Sequence, residues 1–235
     1  MPDIRLEHID FSFRDKTIFS DFSYHFKPEK TYGIIGPTGC GKTSLLRLIA
    51  GLETPDTGSI FIDDKLVSQG NKIIIPPYQR SIGFVFQDLA LWPHFNVYKN
   101  IAFALKSTGK ENEQAVKDLL ERLNLEAHSH QYPHQLSGGQ KQLLALARAL
   151  VLKPNLLLLD EPMSNLDVPI KKEILSHLFQ LQEEVCFSML FVTHDIREIL
   201  TKIDTILVLE KGKLLFSQKP EELIKIKHPF VQSFF

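Results

Sequence analysis

Apolar and polar residues alternate through Ile4-Arg5-Leu6-Glu7-His8-Ile9-Asp10-Phe11-Ser12-Phe13, again from Ile18 to Phe26, and in Ser59-Ile60-Phe61-Ile62. A two-residue period puts successive side chains on opposite faces of an extended chain, so these stretches predict half-buried strands. Turn chemistry separates them at Arg14-Asp15-Lys16, Lys27-Pro28-Glu29 and Thr54-Pro55-Asp56-Thr57-Gly58. The chain is therefore expected to open with antiparallel structure. A different pattern follows. Thr31–Ile35, Ile82–Phe86, Leu156–Leu159 and Met189–Thr193 are short, continuously apolar runs, the mark of strands buried on both faces of a parallel sheet. Ile206–Leu209 and Lys213–Phe216 flank Lys211-Gly212 as a hairpin. A helical period runs from Ser44 to Ala50 and closes at Gly51. Another covers Glu113 to Leu125, with Val116, Leu119, Leu120 and Leu123 on one face. Ser137 to Lys153, halted by Pro154, is expected to be the longest helix, and a short helix from Pro220 to Lys227 ends the pattern. The expected architecture is α/β: a mixed, mainly parallel sheet in a core of residues 1–87 and 156–235, an N-terminal antiparallel β-subdomain, and an α-helical subdomain inserted at 88–155.

Between the Thr31–Ile35 strand and the Ser44–Ala50 helix lies Gly36-Pro37-Thr38-Gly39-Cys40-Gly41-Lys42-Thr43, then Ser44, a match to the phosphate-binding pattern G-x-x-x-x-G-K-[ST]. Glycines at 36, 39 and 41 free the backbone to turn successive N–H groups inward around a phosphate. The positive end of the following helix adds to the field. Lys42 is placed to reach β- and γ-phosphates and the Thr43 hydroxyl to bind Mg²⁺. The same field is expected to favour the thiolate of Cys40. Strand, glycine loop and helix together predict a P-loop nucleotide-triphosphatase core.

Asp160 ends the Leu156–Leu159 run, at the sheet edge where open α/β folds bind ligands, and is an outer partner for Mg²⁺. Glu161 follows it and can orient or deprotonate a water at the γ-phosphate; the plainer reading of the pair is two solvated acids starting a loop. Leu136-Ser137-Gly138-Gly139-Gln140 opens the next helix, and Ser137 with Gln140 makes a capping box. Two glycines in a first turn each cost about 1 kcal/mol relative to alanine, a poor choice for stability alone. Bare N–H groups there suit an anion, and since this chain already has a P-loop, that anion is expected to be the γ-phosphate held by a second copy.

Composition narrows the setting. Net charge is −1, from 27 basic and 28 acidic residues, which argues against general binding to nucleic acid or anionic lipid. There are two cysteines, Cys40 and Cys186, and one lies within the phosphate loop, so a reducing compartment is expected rather than a disulfide. No run approaches a membrane span, and Met1-Pro2-Asp3-Ile4-Arg5 lacks the apolar stretch of a signal peptide. Work at a membrane is thus expected to go through a partner.

Taken in order, these motifs resemble those of the nucleotide-binding subunits of ABC transporters. Gly36–Thr43 is similar to Walker A, Leu156–Asp160 with Glu161 to Walker B and its catalytic glutamate, and Leu136–Gln140 to the family signature. Gln87 matches the Q-loop, Ser164-Asn165-Leu166-Asp167 the D-loop, and His194 the switch histidine, although His194 could simply cap the helix expected to follow it. Phe13, with Phe11 as a close competitor, stands where the family stacks an aromatic on adenine. The resemblance implies a head-to-tail homodimer with ATP and Mg²⁺ at its interface. Each ATP would be held by one chain's Walker A and by Ser137, Gly138 and Gly139 of the other. His194 would steady Glu161 and the water, Asp167 would link the two sites, and Gln87 would sense the γ-phosphate and Mg²⁺ and signal to a membrane permease. It also implies a place on the cytoplasmic face of a prokaryotic inner membrane and, indirectly, an extracytoplasmic solute-binding protein as partner.

Tyr78–Gln87 and Leu91-Trp92-Pro93-His94-Phe95-Asn96-Val97-Tyr98-Lys99-Asn100-Ile101 resemble the importers of sugars, polyamines, sulfate, molybdate and ferric iron. Leu91, Trp92 and Phe95 are expected to line a groove for the permease's coupling helix, or to pack the helical insertion. Many of that subclass carry a C-terminal regulatory β-domain; with the sequence ending at Phe235, regulation of that kind is not expected. Two departures stand out: Leu143 replaces the family's usual arginine, and Arg197–Lys202 is bulkier than usual. The alternative is a soluble ABC ATPase of DNA repair, translation or iron–sulfur assembly, but those usually have paired cassettes, long coiled-coil insertions or another loop after Gln87.

Overall fold

The structure, a computed structural model, describes all residues except 1, 29, 107–111, 165, 195, 233 and 235. In chain order the elements are β1 (Ile4–Phe13), β2 (Lys16–Phe26), β3 (Tyr32–Ile35), α1 (Lys42–Ala50), β4 (Thr57–Ile62), β5 (Lys65–Gln69), β6 (Lys72–Ile73), β7 (Ile82–Val85), α2 (Val97–Lys106), α3 (Glu113–Arg122), α4 (Gly138–Leu150), β8 (Leu156–Asp160), α5 (Val168–Val185), β9 (Ser188–Val192), β10 (Thr205–Glu210), β11 (Lys213–Gln218), α6 (Pro220–Leu223) and α7 (Pro229–Gln232). They fall into two compact units, residues 1–82 with 188–235, and residues 83–187. The expected insertion at 88–155 lies inside the second unit, which also takes in β8 and α5.

In the first unit β1 pairs antiparallel with both β2 and β4, Ile4 facing Phe26 on one side and Ile62 on the other, in a sheet ordered β2-β1-β4-β5-β6. Strict alternation from Ile4 and Leu6 would turn Ile9 and Phe11 outward. Register shifts in β1 between Leu6 and Ile9, with His8 at φ 52°, absorb one residue and return both to the core, where all four are buried. Asp21, also left-handed at φ 52°, faces the bulge, and its carboxylate bonds the His8 ring at 2.7 Å. The remaining strands of this unit run in the order β11-β10-β3-β9. β3 is parallel to β10 and to β9, with Tyr32 opposite Thr205 and Leu190, and every residue of β3 is buried.

The second unit is helical around β7 and β8, and β8 is buried along its whole length. Its longest helix is α5, with 18 residues against 13 in α4, so the expectation for Ser137–Lys153 needs correcting. α4 ends at Leu150 because the backbone turns left-handed at Lys153, φ 52°, ahead of Pro154. Two C-terminal expectations also change. The helix expected over Pro220–Lys227 ends at Leu223, α7 begins separately at Pro229, and the helix expected after His194 is instead two 3-10 turns, Ile196–Glu198 and Leu200–Lys202. Among the described residues no helix is long and apolar enough to cross a membrane.

Candidate functional site

The phosphate loop leaves β3 at its carboxyl end. Gly36 is buried, and a Cβ there would stand 2.3 Å from the Leu209 carbonyl oxygen and 2.6 Å from the Cys40 sulfur. Gly39 and Gly41 hold φ 78° and 112°, the left-handed values that let the chain fold over itself before α1. The Cys40 N–H donates to Pro37 O at 3.2 Å, and the tip of the β10–β11 hairpin supports the loop through Gly212 N–H to Cys40 O at 3.1 Å. α1 starts with no side-chain cap and no acid in its first turn, which includes Thr43 and Ser44. Lys42 is only 6% exposed and folds back to donate from Nζ to the carbonyls of Gly36 at 2.7 Å and Pro37 at 3.1 Å. Thr38 and Gly39 form the exposed crown, with nothing within 4 Å of a Cβ built on Gly39. An uncapped helix start, a buried ammonium bonded to carbonyls and open space above the loop make a donor set that fits a polyphosphate.

The expected reactivity of Cys40 is reversed. The thiol is buried, and burial raises its pKa despite the opposing pull of Lys42. The choice between aromatics is clearer: Phe11 belongs to the core, whereas Phe13 is 43% exposed with the Arg14 guanidinium 5.5 Å from its ring centre. His194 follows β9, whose parallel pairing sets Val192 opposite Ile34. The first unit therefore brings His194 and the phosphate loop to the same edge of the sheet, with His194 exposed.

The second unit carries the other candidates. Gln87 is exposed in the turn after β7. Asp160 is buried at the end of β8, and Glu161 adopts φ 44°, a conformation disfavoured for a side-chain-bearing residue and frequent where function holds strain. Asp167 occupies the N-cap position of α5 without capping it and is exposed; Asn165 lies outside the described residues. The capping box is complete: Ser137 Oγ accepts the Gln140 N–H at 3.2 Å, and Gln140 Oε1 accepts the Ser137 N–H at 2.9 Å. The glycines between them have a packing role as well. A Cβ on Gly139 would lie 2.7 Å from Ile170 Cγ2, and one on Gly138 3.1 Å from Leu166 Cδ2. The close approach of α5 thus accounts for part of what anion binding was invoked to explain. Leu143 is buried in α4, packing as an apolar residue where the family usually has a charge.

Several residues were not legible as site residues. His128 Nε2 lies 2.9 Å from the Gln140 amide nitrogen and its Nδ1 2.9 Å from Gln131 Oε1, which suits a neutral ring protonated on Nδ1. Arg80, 6% exposed, bonds to carbonyls at the C-terminal end of α1. Asn100 is fully buried and bonds to the backbone of residues 92–96. A lone arginine or asparagine in a sequence reads as surface, and only a fold reveals that carbonyls surround it.

A family model described as "ABC transporter" matches residues 19–164. The chain belongs to the ABC transporter family. It is 42% identical over 99% of its length to the spermidine/putrescine import ATP-binding protein PotA of Vibrio cholerae, and 40% identical over 94% to the Fe(3+) ions import ATP-binding protein FbpC 1 of Pectobacterium atrosepticum. It spans 62% of the length of each. Among solved structures it is similar, at TM-score 0.80 and 28% identity over 92% of this chain and 98% of the other, to a dimeric ATP-binding cassette in a post-hydrolysis state bound to ADP and Pi. The expected P-loop α/β fold, with an antiparallel sheet, a mixed sheet and helices, is that of an ABC cassette.

Proposed function

We propose that this chain binds and hydrolyses ATP as the energy-supplying subunit of an importer. The observation that carries the proposal is the loop from Gly36 to Thr43, with its left-handed glycines, inward-folded Lys42 and uncapped helix start. Lys42 exchanges the Gly36 and Pro37 carbonyls for β- and γ-phosphoryl oxygens, and the first N–H groups of α1 bond the phosphates. Phe13 stacks on the base.

Thr43, Asp160 and Gln87 are the residues that would hold Mg²⁺. Among the described residues no group of three or more His, Cys, Asp or Glu could hold a metal by itself. When bound there, the ion would supply neutralisation of charge developing on the transferring phosphoryl group. Glu161, with His194 steadying it, takes a proton from a water whose oxygen bonds to the γ-phosphorus. The bond to the β–γ bridging oxygen breaks, and ADP and phosphate leave.

Ser137, Gly138, Gly139 and Gln140 serve the γ-phosphate of a second copy in a head-to-tail homodimer, and Asp167 links the two sites. The named relatives are import subunits, which favours transport over repair, translation or iron–sulfur assembly and implies integral membrane permease subunits at the cytoplasmic face, fed by a solute-binding protein. The decisive test is Glu161→Gln. It should lower turnover by about a hundredfold or more while ATP is still bound, and it should accumulate an ATP-dependent dimer on gel filtration. A variant that turns over normally, or that stays monomeric with saturating ATP, refutes the assignment.

A further inference from the structure

The turn after Gln87 is built in a way that its own residues do not explain. Leu89 and Ala90 both have left-handed backbones, φ 61° and 44°, although neither is glycine. Side-chain-bearing residues hold such conformations when surrounding contacts over-determine them. Leu89 N–H closes the turn internally on Phe86 O at 3.0 Å, and the contacts to Leu89 and Ala90 from outside the turn come from one residue of α4. Arg148 donates through Nη2 to Leu89 O at 2.7 Å and through Nη1 to Ala90 O, and its guanidinium lies 4.9 Å from the centre of the Trp92 ring. One planar fork thus bonds two consecutive carbonyls and stacks on an aromatic face, a combination a lysine cannot reproduce.

The far side of the turn is equally fixed. Asn100 of α2 accepts the Trp92 N–H at 3.0 Å and donates to the carbonyls of Trp92 at 3.1 Å, Phe95 at 2.9 Å and Asn96 at 3.1 Å. The Trp92 ring meets Phe95 and Phe103 edge-on at 5.9 and 4.9 Å. Burial draws the Arg148 guanidinium below its ordinary pKa, and Asp88 opposes this, so a cation has been brought into partly apolar surroundings to make these contacts. The same helix starts at Gly138, immediately after Ser137. Ten residues of α helix, roughly 15 Å, separate that start from Arg148.

We infer that Arg148 is a positioning residue for Gln87: it latches the Gln87–Trp92 turn to α4, so that the signature end of the helix and the turn move as one piece. The inference rests on the proposed role of Gln87 for its effect on turnover, while the latch itself can be tested without nucleotide. Trp92 is the protein's single tryptophan, so no other indole contributes to its emission, and a change in the stacked guanidinium is read at that ring.

The test compares wild type, Arg148→Lys and Arg148→Met, each checked for folding by circular dichroism. Without nucleotide, both variants should show red-shifted indole emission and acrylamide quenching raised about twofold, because the stacked guanidinium no longer shields one ring face. With ATP and Mg²⁺, Arg148→Lys should keep its nucleotide KM within about twofold and lose about tenfold in kcat, the signature of a misplaced group rather than a lost binding contact. Unchanged emission and quenching in Arg148→Lys overturn the latch, whatever the ATPase does. Altered emission with unchanged kcat overturns the positioning role. Should wild type itself fail to hydrolyse ATP, the functional reading falls, and the emission arm still decides whether the latch exists. Were Arg148→Met unable to fold, Arg148→Lys carries both readouts.

Discussion

Replacing Arg80 with methionine probes how the phosphate-loop helix is anchored. Arg80 is 6% exposed and directs every donor of its guanidinium inward: Nε to Ile75 O at 2.8 Å, Nη1 to Leu48 O at 3.3 Å and Ile49 O at 2.9 Å, Nη2 to Val67 O and Ser68 Oγ at 2.9 and 2.7 Å. Its acceptors are carbonyls and a hydroxyl, and burial draws its pKa down to about 10, still protonated at neutral pH. The positive charge is matched to the negative end of α1, whose last carbonyls it bonds. The packing leaves no room for error, since a Cβ on Gly51, the αL cap of this helix, would stand 2.4 Å from the guanidinium carbon.

Methionine fills similar volume without the donors. Leu48 O still accepts from Gly51 N–H at 3.1 Å, Val67 O from Ile74 and Ile75 N–H at 3.0 and 3.1 Å, and the Ser68 hydroxyl can rotate. The Ile49 and Ile75 carbonyls lose the donor that reaches them, at about 1.5 kcal/mol for each charge-assisted bond. Relief from holding a buried cation offsets the weaker losses, leaving a net destabilisation of about 3 kcal/mol. For a chain of this size that lowers the thermal midpoint by about 6–12 °C. Urea unfolding followed by circular dichroism measures the free energy, and Arg80→Lys, which keeps charge but not the fork, should lose at least half as much. A loss below about 1 kcal/mol in Arg80→Met would refute the idea that these bonds carry the anchoring.

Lys42→Ala should fold normally, since it gives up bonds only to loop carbonyls, yet lose roughly a hundredfold in ATP affinity, about 3 kcal/mol of charge-assisted phosphate binding. Unchanged affinity in a nucleotide titration would remove Lys42 from the site. For cysteine alkylation at neutral pH followed by mass spectrometry, exposed Cys186 should react first and buried Cys40 at least about tenfold more slowly. Because the Cys40 pKa is raised, its thiolate fraction is small at neutral pH and its rate should keep climbing as pH rises past the ordinary thiol range. Equal rates at neutral pH would contradict the buried placement.

Alternation announced β1 and β2 because it survives wherever one sheet face is buried, the Lys211-Gly212 turn between apolar runs announced the hairpin of β10 and β11, and continuous apolar runs announced β3, β8 and β9, which are buried on both faces. The bulge at His8 was invisible, since it is fixed by pairing with β2 rather than by β1 itself. α5 escaped notice although Ile174, Leu175, Leu178, Phe179 and Leu181 are all buried, because Pro169 and the polar stretch Lys171–Glu173 mask its first turns.

Local chemistry alone was enough for the phosphate loop. Consecutive residues Gly36 to Thr43 bond, turn and start a helix with little help, so their order is their geometry. The capping box of Ser137 and Gln140 is local in the same way. Long-range packing decided the rest. Burial raised the Cys40 thiol pKa against the pull of Lys42, and Phe11 went to the core while Phe13 stayed outside. Arg80 and Arg148 acquired their roles from carbonyls brought to them by other segments, up to 59 residues away for Arg148. A polar side chain takes its meaning from the groups around it, and those neighbours are assembled only when the chain folds.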